Sequence, residues 1–393
     1  MSEWKEYKIS DIADVIGGGT PSTSNSSYWN GNIPWLTPRD LTGYTKVYIS
    51  KGERNITVEG LRNSSARLLP KGTVLLTSRA PIGYVAIAKN EITTNQGFKS
   101  LVLKEDYADN EFIYYWIKNN IDYLQSIGTG TTFAEISGRV VKDIEISLPP
   151  LSEQKTIASV LSSLDDKIDL LHRQNATLEK MAETLFRQWF VERCPEPVEG
   201  EEKEEWEEKP LSSIANFLNG LACQKFLPKN DIDKLPVLKI KELREGFTEK
   251  SDWATTDVKP EYIVKNGDVV FAWSASLMVK IWDGQDCILN QHLFKVTSDV
   301  YPKWFYYLWC KYHLEEFISI AVSHATTMGH IKRRDLDEAI VLVPSTNKLE
   351  EMTLIVEPLI DKIIENNKQI RTLTSLRNTL LPKLMSGEVR VEM

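Results

Sequence analysis

Little in this chain of 393 residues is equipped for covalent chemistry. It has no Gly-x4-Gly-Lys-Ser/Thr phosphate loop, no Gly-x-Ser-x-Gly elbow and no Cys/His pair at a useful spacing, which excludes the common phosphate-binding and nucleophile-bearing frameworks. Cysteine is scarce: Cys194, Cys223, Cys287 and Cys310 are scattered without pairing or metal spacing, as expected of a reducing, cytoplasmic setting. The five histidines are as dispersed, and His324 and His330 stand six apart, a poor helical ligand pair, so no metal site is expected. No run approaches the roughly 20 apolar residues of a membrane span. The opening "MSEWKEYKIS" is polar and carries acid, unlike a signal or transit peptide. "GGGTP" is too short for a dinucleotide fingerprint and does not join a strand to a helix. "LPPL" lacks the Asn or Asp and the aromatic residue that frame the Pro-Pro of an amino-methyltransferase. A chain so poor in reactive constellations reads as a binder.

Basic excess is also missing, since the net charge is −8. The deficit is local. Residues 192–209, "ERCPEPVEGEEKEEWEEK", hold nine glutamates against three basic residues and contribute −6, leaving −2 for everything else. With two prolines and little to bury, residues 193–205 read as a solvated acidic linker. Local basic faces for a nucleic acid therefore remain allowed.

What is present is a repeat. At 42% hydrophobic and 26% charged residues the composition is globular, and the length calls for two to three domains. "EWKEYKISDIADVIGGGTP" matches "EWEEKPLSSIANFLNGLAC" at an offset of 202, as "NIPWLTPRDL" matches "KLPVLKIKEL". Further on the offset is 195, where "LPKGTVLLTSRAPIGYVAIAKNEITTNQGFKSLVL" meets "IVKNGDVVFAWSASLMVKIWDGQDCILNQHLFKVT". "GTTFAEIS" then meets "ATTMGHIK", and a long helical segment closes each copy. One unit of about 195 residues is written twice.

Within each unit the pattern predicts an α+β fold. A short helix is expected around Ile9 to Ile16, ending in "GGGTP". Strands are expected at "GTVLLTS" and "YVAIA". "DNEFIYYWIKNNIDYLQSI" has helical spacing, and "VVKDIEISLPP" is expected to leave as a strand. The boundaries this gives are a first globular domain over 1–150, a helix over 151–192, the acidic linker, a second globular domain over 206–345 and a closing helix over 346–393.

The two helical segments carry a heptad seam. In the first, Ile157, Leu161, Leu164, Ile168, Leu171, Asn175, Leu178, Ala182, Leu185 and Trp189 step by four and three. Adding 195 gives the second seam, Met352 to Leu384 through Asn366 and Arg377. An antiparallel coiled coil related by a pseudo-two-fold axis would set Asn175 against Asn366, so that the pair fixes the coil register. In that register Arg377 faces Leu164, with its stem along the seam and its head in water. Two other classes stay open on the residues alone: a scaffold with two non-DNA binding modules, and a stand-alone nuclease or methyltransferase.

Several stretches carry a resemblance. "LPPLSEQKTIASVLSSLDDKIDLLHRQNATLEKMAETLFRQWFVE" and the ending "LRNTLLPKLMSGEVRV" resemble the two conserved regions of the specificity subunit of type I restriction–modification systems. "KISDIADVIGGGTPSTSNSSYWNGNIPWLTPRDL", "SRAPIGYVAI" and "TTNQGF" resemble that family's target-recognition domains. The second copy departs from the pattern with "VPSTNKLEEM" in place of "LPPLSEQKTI", so partner docking at that hinge is in doubt. The resemblance implies a non-catalytic subunit of a restriction endonuclease and methyltransferase complex. Each globule would be a target-recognition domain reading one half of a bipartite double-stranded DNA sequence, and the coil would set the gap. Its partners would be two methyltransferase subunits and, through them, the restriction and translocase subunits, with self-association possible in isolation. S-adenosylmethionine, ATP and magnesium would belong to those partners, and none to this chain.

Base edges are read by amide, hydroxyl and cationic side chains on loops. In the first domain these are Thr20, Ser22, Ser24, Arg39, Arg79, Asn95, Gln96, Lys99, Thr129 and Thr131. In the second they are Lys239, Lys241, Trp273, Ser274, Asn290, Gln291, His292, Thr326, Lys332 and Arg333. The Asn-Gln pairs serve equally well to fix their loops, and Trp273 suits a core. "HIKRRD" is a stronger candidate because three consecutive cations are costly to bury.

Overall fold

Six β-sheets and two 40-residue helices account for the repeat. They are seen in a computed structural model that describes residues 4–130, 134–192, 206–323 and 329–391. The acidic linker 193–205 lies outside the described residues. By their contacts the residues form two units, Met1–Leu170 with Thr372–Met393, and Leu171–Arg371. Each unit thus owns part of both long helices, which the sequence alone sets apart as separate segments. The reason is a shared apolar surface: near its globule, each helix buries more than the narrow seam.

In the first unit a five-stranded sheet runs in the order Ala13–Gly17, Lys99–Leu103, Val74–Leu76, Val85–Ala88, Tyr48–Ile49. A three-stranded sheet places Trp29–Leu36 between Arg54–Ile56 and Thr93–Thr94, antiparallel to the first and parallel to the second. Lys5–Lys8 pairs antiparallel with Glu145–Leu148, tying the start of the unit to the strand that feeds the first long helix. The second unit repeats the plan. Asn216–Asn219, Leu293–Thr297, Val269–Ala272 and Met278–Ile281 form one four-stranded sheet, and Trp253–Thr255, Lys234–Leu238, Cys287–Leu289 and Ile263–Val264 the other. Glu207–Pro210 pairs with Ile340–Val343, as the corresponding ribbon does in the first unit.

Three local expectations are corrected. The helix expected to Ile16 is a single turn, Ile9–Ile12, and Ala13–Gly17 is a strand paired over its whole length with Lys99–Leu103. Sheet partners here outweigh a helical pattern too short to stabilise itself. The helix expected over Asp109 to Ile127 breaks at Asn120 into Asn110–Asn119 and Ile121–Ser126. The Asn120 amide turns back onto the Trp116 carbonyl at 2.8 Å, a local competitor of helix continuation. "VVKDIEISLPP" begins as a helix, Gly138–Asp143, capped by Ser137, and becomes strand only at Glu145–Leu148.

The long helices Leu151–Phe190 and Thr346–Met385 have the predicted seam on their covered side, and none of its residues is exposed. In the first unit Ile157 and Leu161 share a core with Leu384 and Met385 and with the aromatic helix Asn110–Asn119. Gln154, from the "LPPLSEQ" stretch, bonds the carbonyls of Tyr107 and Pro149 and the Asp109 amide. Arg377 remains partly exposed, as the seam suggested, but its head also turns to the globule. Its Nη1 lies 2.6 Å from Asp165 Oδ1, while Tyr115 donates to Oδ2 at 2.9 Å. Asp165 sits beside the seam at a position that periodicity alone assigns to solvent; the globule covers it, so the cation turns inward to match the carboxylate.

In the second unit Phe186, Phe190, Val356 and Ile360 join the core around Trp304, Phe305 and Trp309. Glu179 accepts from Tyr307 at 3.0 Å and from Lys311 at 2.6 Å, locking the globule's aromatic helix to the first long helix. Asn175 lies inside this unit with the other asparagine of the seam: Asn366 Nδ2 donates to Asn175 Oδ1 at 2.9 Å. Asn175 Nδ2 donates in turn to Asn367 Oδ1 at 2.7 Å, a third member that the heptad count did not single out. The expected contact is therefore formed, and Asn366 is fully buried.

Candidate nucleic-acid interface

In the first unit the glycine run meets the loop that carries Asn95 and Gln96. Gly17 ends its strand opposite Lys99. A Cβ on Gly18 would stand 2.1 Å from the Asn95 carbonyl oxygen, so only glycine lets the two backbones touch. Gly19 donates to the Thr94 carbonyl at 2.9 Å, and its own carbonyl accepts from Trp35 Nε1 at 2.9 Å. Thr20 then donates its hydroxyl hydrogen to Gln96 Oε1. Asn95 is committed to the fold: its Oδ1 accepts from the Gly97 amide at 2.9 Å. Pro38 packs at Gly97 and so brings in the turn Pro38–Leu41, from which Arg39 projects exposed.

On the same loops Arg79 Nε forms an ion pair with Glu135 Oε2 at 2.9 Å, and Lys99 Nζ donates to Oε1 at 3.3 Å. Burial would raise the Glu135 carboxyl, but the hydrogen bonds and charges of Arg79 and Lys99 outweigh it and hold it below its ordinary value. Thr129 exchanges both backbone bonds with Glu135, at 3.0 and 2.9 Å. Thr20, Gln96, Arg79, Lys99 and Thr129 are thus gathered, with Arg39 alongside. Ser22 and Ser24 lie further along and face each other, their Oγ atoms 2.8 Å apart. Thr131 lies outside the described residues.

The second unit builds the same loop meeting from different side chains. A Cβ on Gly220 would stand 2.3 Å from the Asn290 carbonyl oxygen, as at Gly18. Asn290 is buried, and its Oδ1 accepts from the His292 amide at 3.3 Å, again a loop-fixing use. Trp273 is half-buried: its ring stacks on Phe294 at 5.6 Å, neighbours His292 and His330, and its Nε1 donates to Asn219 Oδ1 at 3.2 Å. Buried Ser274 has its Oγ 3.2 Å from His292 Nδ1 and bridges His330 through the backbone. Gln291 Nε2 lies 3.4 Å from His292 Nε2. Trp273, Ser274, Gln291 and His292 are thus brought together.

Lys239 precedes the helix Ile240–Glu245 and pairs with Asp252, while Lys241 is exposed on that helix. Lys332 and Arg333 are exposed at the start of Arg333–Glu338, where Arg333 Nη2 donates to the Phe217 carbonyl at 3.3 Å. Thr326 lies outside the described residues. Glu135, His330 and Asn219 were not singled out by residue type. The repeat register was the signal that could have found the first two, since they stand 195 residues apart and each bridges a candidate residue. Among the described residues no helix is long and apolar enough to cross a membrane, and no cluster of metal-ligating side chains occurs.

Comparison with known proteins agrees with this duplicated architecture. The model of the type I restriction modification DNA specificity domain matches twice, over residues 1–180 and 203–374. The type I restriction enzyme MjaIX specificity subunit of Methanocaldococcus jannaschii is 38% identical, over 99% of this chain and 94% of that protein. The MjaVIII specificity subunit of the same organism is 25% identical, over 99% and 94%. The crystal structure of a type I restriction-modification system S subunit from M. genitalium shares the fold, with a TM-score of 0.63 and 17% identity across 100% of this chain and 97% of that one. The chain therefore belongs to the family of type I restriction–modification DNA specificity subunits.

Proposed function

We propose that the work of this specificity subunit is divided between its two loop clusters, each reading one half of a bipartite duplex sequence, while the paired long helices set the gap. The observation that carries this reading is the duplication itself. One backbone arrangement, with a glycine pressed on an Asn-Gln loop, occurs in both units and carries different side chains in each. A common backbone with divergent donors and acceptors is what two readers of two different half-sequences require. As a specificity subunit the chain is not itself the catalyst.

Two methyltransferase subunits are proposed to dock on the outer faces of the long helices, and the restriction and translocase subunits to join through them. Exposed Met181, Leu354 and Ile355, and a shallow groove along Ala176, Lys180, Met181 and Thr184, support a docking face there. S-adenosylmethionine, ATP and magnesium belong to those partners in this reading, in the cytoplasm. Partners would also supply much of the phosphate contact, which suits a chain whose net charge is negative. Replacing residues 1–150 by the first domain of another family member, followed by methylome sequencing, tests the division. One half-site should change, with the other half and the gap unaltered; a change in both halves would overturn it.

A further inference from the structure

A carboxylate is an odd side chain to find where DNA phosphates approach, and Glu135 is one, partly exposed amid the candidate contacts of the first unit. It is matched by two cations, Arg79 and Lys99, so the cluster as a whole carries +1. The backbone around it is tied on both sides. Ser78, just before Arg79, donates to the Gly97 carbonyl and accepts from the Ile136 amide, each at 2.8 Å. Arg79 and Glu135 face each other in an antiparallel bridge. Glu135 grips Arg79 at Nε, and among the described residues no partner occupies the two terminal nitrogens of a side chain that is 45% exposed.

Stability is a poor reason for this arrangement, because exposed ion pairs stabilise little. A phosphate contact is a poor reason too, since any donor serves and the plane of the guanidinium need not be fixed. Reading a base edge does require a fixed plane, and the paired acceptors N7 and O6 of guanine match two arginine nitrogens. The second unit supplies the contrast. In the same register its bridge is Ser274 with His330, and Phe294 stands where Lys99 does. The backbone device is kept and the charge is not, as expected if it addresses a different base there.

We propose that Glu135 is a positioning residue of the first half-site reader, holding Arg79 so that its terminal nitrogens bond the N7 and O6 of one guanine in the major groove. This rests on the reading of the unit as a half-site reader. The test uses the subunit assembled with its methyltransferase partners, the methylation motif read by sequencing, and duplexes carrying 7-deazaguanine at each guanine of the first half-site in turn. With the native subunit, one deaza position should weaken binding about tenfold or more. Arg79→Lys should be indifferent to that substitution and should relax the motif at that position alone. Glu135→Gln should relax the same position, and Glu135→Asp should retain part of the discrimination. An unchanged motif in Arg79→Lys would overturn the assignment, as would a uniform loss of affinity across sequences with a shallower salt dependence, the mark of a phosphate contact. Should Glu135→Gln fail to fold, the exposed Arg79→Lys variant and the deaza series decide alone. A native complex with no two-part motif would overturn the half-site reading as well, whereas an intact two-part motif indifferent to Arg79 overturns only this assignment.

Discussion

A single amide, Asn175, shows how much one side chain can specify. It bonds Asn366 and Asn367 together, and Asn366 is 0% exposed. Asn175→Ala would strand a buried amide, a loss of about 1–3 kcal/mol. The urea midpoint should fall, and the double variant Asn175→Leu/Asn366→Leu should recover much of the loss because few polar groups are then left unmatched. A single variant with an unchanged midpoint would remove the cluster as a stabilising contact. The Asp165–Arg377 pair has the same logic with larger stakes, since the Asp165 side chain is only 8% exposed. Arg377→Met should cost about 3–5 kcal/mol, the usual result of stripping one partner from a buried pair. A fall in the thermal midpoint no larger than that of an ordinary surface substitution would show that the pair is dispensable.

Among the elements, the loops after the strands Ala13–Gly17 and Asn216–Asn219 carry the sharpest requirement. Gly18 and Gly220 lie against the carbonyls of Asn95 and Asn290 at distances no Cβ can occupy. Gly18→Ala must push the "TTNQGF" loop aside and should damage recognition of the first half-site while sparing the second. Gly220→Ala should do the reverse. Half-site-resolved methylation by the assembled complex reads both, and loss of both halves from either change would contradict independent readers. Neighbouring elements show where sequence patterns misled. Ala13–Gly17 has spacing compatible with a helix, yet Lys99–Leu103 offers a full antiparallel partner, and pairing settled the matter. Trp273 suits a core by composition, yet the structure gives it one face on Phe294 and a polar edge on Asn219.

For the whole molecule, the chain ends belong to one unit. Trp4 and Val391 pack against a single core, and Gly387 lies against the Trp4 ring. Joining these ends through a short linker and opening the chain within residues 193–205 should give a permutant that folds and keeps its methylation motif. Recovery of soluble protein with a changed gap, or of no folded protein, would show that the order of the two units along the chain matters.

Repetition was the feature most open to reading from the sequence, because it needs only that residues recur in order. The two-unit architecture, the two long helices and the Asn175–Asn366 contact followed from it, since heptad spacing and a shared offset fix which side chains share a seam. The family came instead from the resemblance of particular stretches such as "LPPLSEQKTI" and "TTNQGF". Tertiary structure alone decided what depends on neighbours distant in sequence. Arg377 turned to Asp165 because the globule covers that carboxylate, and Asn95 and Asn290 were spent on their own loops. Glu135 is the hub of the first cluster because the fold brings the two cations Arg79 and Lys99 to its carboxylate, which no local pattern records. Periodicity records which face of an element is buried; it does not record which groups from elsewhere arrive to meet it.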